Sequence, residues 1–200
     1  MGKSKKGGEV IPEIGTLPPI SNSPQVGDII LVHGGSFLAK GIQFFMNIYR
    51  SKQDLAKRKL YNHVAVVIDL YGQKYIAEAV AKGVQVIPDA DKYVATRDCT
   101  VLTWVNPLTA KEKAELSREA AKYALEIHRY DVLNFPYQIK YIMTGKWRGP
   151  TGDKAERRIY CSELAAIVMD KIRGSFGGQT WDKNPLDIEL SPDLKVLSED

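Results

Sequence analysis

The chain has 200 residues, 44% of them hydrophobic and 26% charged, a mixture that suits one globular domain with a real core. Its net charge is +4, and much of the positive excess sits in the opening MGKSKKGG, so the rest is near balance and gives no reason to infer a nucleic-acid binder. Two cysteines make no disulfide framework, three histidines show no HExxH or CxxC context, and GPTGDK at 149–154 lacks P-loop spacing; no metal or cofactor is expected.

Residues 1–25, rich in Gly, Pro, Ser and Lys, read as a flexible basic arm, and residues 26–200 as one domain. The first twenty residues hold no apolar h-region, and no apolar run approaches the roughly 20 residues that cross a bilayer. MGKSKK puts Lys6 where a myristoylation motif wants Ser or Thr. These features predict a soluble cytoplasmic protein with reduced thiols.

Gly27-Asp28 opens a short apolar run, IILVH, that reads as a buried strand, with Asp28 capping or turning the chain before it. Residues 36–50, SFLAKGIQFFMNIYR, carry apolar groups at helical spacing. The basic stretch SKQDLAKRKL follows, either a solvated helix end or a contact for an anionic surface. HVAVVIDL (63–70) is a β-branched strand, YGQK a turn, and YIAEAVA (75–81) the return strand. GVQVI (83–87) and TVLTWV (100–105) extend a small, largely antiparallel sheet.

Residues 109–128 form the clearest helix, with Thr109 and Glu112 spaced as a capping box. Residues 129–157 read as a long loop. A second helix, CSELAAIVMDKI, begins at Cys161, and the segment NPLDIELSPDLKVL after it reads as turn-rich.

Leu164, Ala165, Val168 and Ile172 share one stripe of the 161–172 helix, and Cys161 lies on it, facing inward. Two readings stand. A cysteine there packs as a small hydrophobe. A thiol at a helix N-terminus also feels the positive end of the helix dipole and orphan N–H groups, which favour the nucleophilic thiolate and suit a developing oxyanion.

Such a nucleophile needs a base and a group to orient it. His63 is the best base, at the start of a strand and beside the small Ala65. An even-length loop at 70–73 pairs residues whose numbers sum to 143, which sets Glu78 opposite Ala65 and makes it a diagonal neighbour of His63, roughly 7–8 Å away. A slip of one residue would put the two on opposite faces. Glu78 is otherwise a solvated strand position, yet it shares its face with Ile76 and Val80. His33, His128 and Cys99 read as structural.

GDIILV, NHVAVV, AEAV and YCSELAA together resemble the circularly permuted NlpC/P60 group, the YiiX/YebB-like papain-fold amidases, from about Val26 to Leu197. The order of histidine strand, glutamate strand and cysteine helix is the permuted one. The resemblance implies an α+β fold, with a small antiparallel sheet packed against the nucleophile helix. It implies Cys161 as nucleophile, His63 as base, Glu78 as orienting acid and Tyr160 lining the site against substrate. It implies hydrolysis of an amide bond in a cell-wall-type peptide or related amide through a thioester. Lipid acyl hydrolysis or transfer is the alternative, suggested by the apolar 37–49 helix and basic 50–59 stretch and carrying contact with a membrane surface; a non-catalytic binding module is a third.

Overall fold

The computed structural model describes residues 23–34, 61–80, 82–126, 129–130, 140 and 158–197. The basic arm up to residue 22, the 36–60 segment, His128 and nearly all of 131–157 lie outside these residues.

Strand β1 (Ile29–Val32) is buried on both faces and runs down the middle of a six-stranded sheet of order β4-β3-β2-β1-β5-β8. Its neighbours are β2 (His63–Leu70) and β5 (Cys99–Trp104). Beyond β2 come β3 (Gln73–Val80) and β4 (Gly83–Pro88); beyond β5 comes β8 (Leu194–Val196). Every pairing in this sheet is antiparallel. A second ladder, β6 (Arg129–Tyr130) with β7 (Arg158–Ile159), is parallel and delivers the chain to Tyr160.

Successive strand residues point to opposite faces, so the alternation within β1 and β2 divides the core. Ile29, Leu31, Val64, Val66 and Ile68 meet helices α2 (Ala110–Leu125) and α3 (Cys161–Arg173) through Leu116, Ala120, Leu164, Ala165, Val168 and Met169. Ile30, Val32, Ala65, Val67 and Ile76 face the short helix α1 (Ala90–Ala95) through Ala90 and Tyr93. A third short helix, α4 (Pro185–Glu189), follows α3.

The Gly27-Asp28 corner fixes the start of β1. Gly27 has φ 97°, a backbone conformation that favours glycine, and a Cβ there would press on Leu108 Cδ1 at 2.6 Å. Its carbonyl accepts from Trp104 Nε1 at 2.8 Å. Asp28, buried, takes the Gln25 N–H at 2.7 Å and so turns the chain as its position before the strand suggested.

The β2–β3 hairpin sets the register that matters for the site. Tyr71 and Gly72 both have positive φ, the backbone of a two-residue loop whose twist matches the flanking strands. Asp69 Oδ1 accepts the Gly72 N–H at 2.9 Å and braces it. Leu70 therefore faces Gln73, and Ala65 faces Glu78, the pairing expected from the even-length loop.

The capping box on α2 is present, with Thr109 and Glu112 bonded reciprocally. Strand β3 starts at Gln73, two residues before the sequence reading placed it. Helix α1, helix α4 and strand β8 were not foreseen; α4 and β8 occupy the tail read as turn-rich. Among the described residues, no helix is long and apolar enough to cross a membrane.

Candidate active site

Glu78 is the centre of a hydrogen-bonded cluster although it is only 5% exposed. A buried carboxylate is costly unless donors compensate it. Its Oε2 accepts from His63 Nε2 at 2.7 Å and from the Tyr93 hydroxyl at 2.5 Å. Its Oε1 accepts from Gln85 Nε2 at 2.6 Å. Burial pushes this carboxyl up, but the bonds from His63, Tyr93 and Gln85 outweigh it and hold it at about 2.

With Nε2 committed to Glu78, the other ring nitrogen of His63, Nδ1, is the one available to a second partner. The Cys161 thiol also acts on the ring, through its charge and a hydrogen bond. Cys161 packs in the core layer on the helix side, whereas His63 and Glu78 share the face of Ala65 and Ile76. The two layers meet at the end of the sheet, where His63 opens β2 opposite Val32, the last residue of β1. The imidazole keeps 20% of its surface exposed, while Cys161 keeps 4%.

Burial alone would push the Cys161 thiol up. The His63 charge and hydrogen bond reverse that, helped by the main-chain N–H groups of Val64 and Ser162, and the thiol lies below its ordinary value. Burial likewise works against a charged His63, but the Cys161 thiolate and Glu78 outweigh it and push the imidazole up to about 10. The arrangement thus favours a thiolate–imidazolium pair at neutral pH.

Helix α3 places the sulfur at its first turn. Tyr160 is the N-cap residue in extended conformation, and its side chain caps no N–H. Instead its hydroxyl donates to the Trp181 carbonyl. On the other side of Cys161, Ser162 Oγ donates to the Lys183 carbonyl at 2.9 Å. The residues flanking Cys161 therefore both tie down the 181–183 strand of chain that runs past the helix N-terminus.

Cys161, His63 and Glu78, singled out in the sequence, come together. Of the other candidates, Tyr160 directly precedes Cys161 and His128 lies outside the described residues. Cys99 donates through Sγ to the Val94 carbonyl at 3.6 Å, and the His33 main chain is bonded to the Asp98 carbonyl at 2.8 Å. Neither cysteine is in a disulfide. Sequence reasoning missed Tyr93 and Gln85. Gln85 could have been found by extending the register arithmetic one strand, since it lies directly across from Glu78.

No family model matches the chain, and no curated protein does either. A solved structure does. The chain is similar to the crystal structure of metalloprotein yiiX from Escherichia coli O157:H7, DUF1105. The TM-score is 0.55 at 19% identity, over 89% of this chain and 98% of that one. At that identity the likeness speaks for the α+β fold alone.

That neighbour is described as a metalloprotein. His63 Nε2 is taken up by Glu78 Oε2 at 2.7 Å, and Glu78 Oε1 by Gln85. Among the described residues, no group of three or more His, Cys, Asp and Glu side chains could hold a metal ion. These residues do not fit a metal centre.

Proposed function

We propose that the protein is a cysteine hydrolase of permuted papain-like, NlpC/P60-type fold that cleaves an amide bond in a small peptide or related amide through a thioester acyl-enzyme. The observation that carries this reading is the line Glu78–His63–Cys161, in which a buried carboxylate holds one imidazole nitrogen at 2.7 Å and a thiol of lowered pKa meets the ring. A nucleophile, a base and an orienting acid in that order are the parts acyl transfer needs.

In this mechanism the Cys161 thiolate attacks the carbonyl carbon, and a C–S bond forms. Negative charge moves to the carbonyl oxygen, beside the positive end of α3. The imidazolium of His63 gives its proton to the leaving nitrogen as the C–N bond breaks, which leaves a thioester and a neutral imidazole. His63 then takes a proton from water; the hydroxide attacks the thioester, the C–S bond breaks, and thiolate and imidazolium are restored. Glu78 stays ionised and holds the imidazole tautomer throughout. Tyr160 flanks the sulfur; its hydroxyl is committed to Trp181, so its contribution to substrate is its ring and main chain.

The lipid reading draws on residues 36–60, which lie outside the described residues, and nothing in the described fold favours it.

The test is mass spectrometry of the intact protein mixed with an activated acyl ester, alongside turnover of a set of peptide amides. An acyl adduct on Cys161 that His63→Ala slows, and that Cys161→Ala abolishes, is the expected result. Turnover that survives Cys161→Ala would sink the mechanism.

A further inference from the structure

Glu78 reaches His63 across a diagonal of the β2–β3 pair, not straight across it. A glutamate has three side-chain torsions, so register alone does not hold its carboxylate against Nε2. Two other groups do. Gln85 stands directly opposite Glu78 on the edge strand β4 and reaches Oε1 at 2.6 Å. Tyr93 comes from α1 on the same face and reaches Oε2 at 2.5 Å, the oxygen that also meets His63. With Tyr93 on one oxygen and Gln85 on the other, rotation of the carboxylate breaks at least one bond.

The surroundings of Tyr93 suit a fixed donor. It is buried, its ring lies 3.7 Å from the Arg97 guanidinium, and Asp89 and Thr96 end its helix on either side. Burial and the Glu78 charge raise its hydroxyl above the ordinary phenol value, so the proton stays on Tyr93 and the bond keeps one direction. A tyrosine needed only for packing in this layer could be phenylalanine.

We propose that Tyr93 and Gln85 are positioning residues that act on the Cys161–His63 pair by fixing the Glu78 oxygen that meets His63. The inference rests on the cysteine hydrolase reading and names parts of the same site that the sequence did not mark. Among the described residues, the charged and titratable groups acting on His63 are Cys161 and Glu78, and those acting on Tyr93 are Glu78, Arg97 and Cys99.

The two donors have opposite possible effects, which makes the test sharp. If they anchor Glu78, their loss lets the carboxylate turn from His63, the imidazolium loses support, and the thiolate forms at higher pH. If they only drain charge from Glu78, their loss makes the carboxylate a stronger partner, and the thiolate forms at lower pH.

The experiment follows the rate of Cys161 alkylation by iodoacetamide against pH, which requires no substrate. Tyr93→Phe keeps the ring over Arg97. Gln85→Met keeps the shape at an exposed edge position and leaves the core intact. Each is expected to move the inflection upward by about 0.5 unit or more, and the pair of changes together further, with each variant's fold checked by thermal melting. An unchanged or lowered inflection in both variants overturns the proposal. A wild-type inflection at the ordinary thiol value, insensitive to His63→Ala, would instead remove the hydrolase reading beneath it.

Discussion

His63 Nε2 and Glu78 Oε2 are 2.7 Å apart, yet the residue paired with Glu78 is Ala65. The contact exists because Tyr71 and Gly72 make a loop of two residues. One more or one fewer would turn every β3 side chain over and send Glu78 to the helix side. Inserting one residue between Tyr71 and Gly72 should therefore restore the Cys161 alkylation profile to that of an ordinary thiol, and inserting two should do so less completely. Alkylation against pH checks this; a normal low inflection in the one-residue insertion would mean that Glu78 is irrelevant to the thiol.

Glu78→Gln removes the charge while keeping the side-chain shape. The amide still has an oxygen for Nε2, but the imidazolium loses its counter-charge. We expect kcat/KM to fall by roughly 100-fold, with KM little changed. Glu78→Ala goes further, because it leaves the buried Tyr93 hydroxyl without its acceptor, and should lower stability by about 1–3 kcal/mol. Steady-state kinetics and urea unfolding separate the two effects. Full activity in Glu78→Gln would assign the carboxylate to packing.

The pH profile of kcat/KM should be a bell. The active form has Cys161 ionised and His63 protonated. As pH falls through the thiol value, which His63 holds below that of an ordinary cysteine, the nucleophile is lost. As pH rises through about 10, His63 loses the proton that the leaving nitrogen needs. Glu78→Gln should pull the alkaline limb to lower pH, since the carboxylate helps to raise the imidazole. A wild-type profile that keeps rising through the alkaline range would contradict the ion pair.

Cys161, His63 and Glu78 were legible in the sequence because their places depend on local rules. A helix start at Cys161 follows from its apolar stripe, and the place of Glu78 follows from a two-residue turn and a period of two. Tyr93 escaped because α1 has only six residues and opens on Asp89 with φ 63°, a left-handed conformation that no local pattern announced. Helix α4 was different. Asn184-Pro185 with Asp187 spells a capped start, and both reciprocal bonds are present. The helix is so short that Pro, Asn and Asp read as turn residues instead. The bracing of Tyr160 and Ser162 by the Trp181 and Lys183 carbonyls was beyond reach, because main-chain carbonyls carry no signature in sequence.

Ser162 offers a clean separation between support and chemistry. Its hydroxyl serves the Lys183 carbonyl at 2.9 Å, while its main-chain N–H serves the Cys161 sulfur. Ser162→Ala removes the first and keeps the second. We expect a loss of about 1 kcal/mol in stability and an alkylation profile for Cys161 that overlays the wild type. A shifted profile would mean that the 181–183 segment sets the position of the helix start, and with it the sulfur.

The acid side of the stability curve should show two carboxyls working in opposite senses. Glu78 is lowered to about 2 from an ordinary 4.5, so its stabilisation is present above that ordinary value and is lost as pH falls through about 2. Asp187 is raised by burial to about 6 from 3.8, so the folded state binds more protons than the unfolded one between those values. Its contribution therefore worsens as pH climbs through that window, and the penalty is complete above about 6. Asp187→Asn removes the charge but keeps an oxygen for the Asn184 N–H, a bond now made at 2.9 Å. It gives up the favourable carboxylate at the start of α4, worth about 0.3–1 kcal/mol, so the net gain should be modest, about 1 kcal/mol in neutral solution. No gain is expected at a pH below 3.8, where the wild-type Asp187 is protonated in both states. Urea midpoints at the two pH values decide the matter: equal gains at both, or none at either, would mean that the Asp187 charge carries no folding penalty.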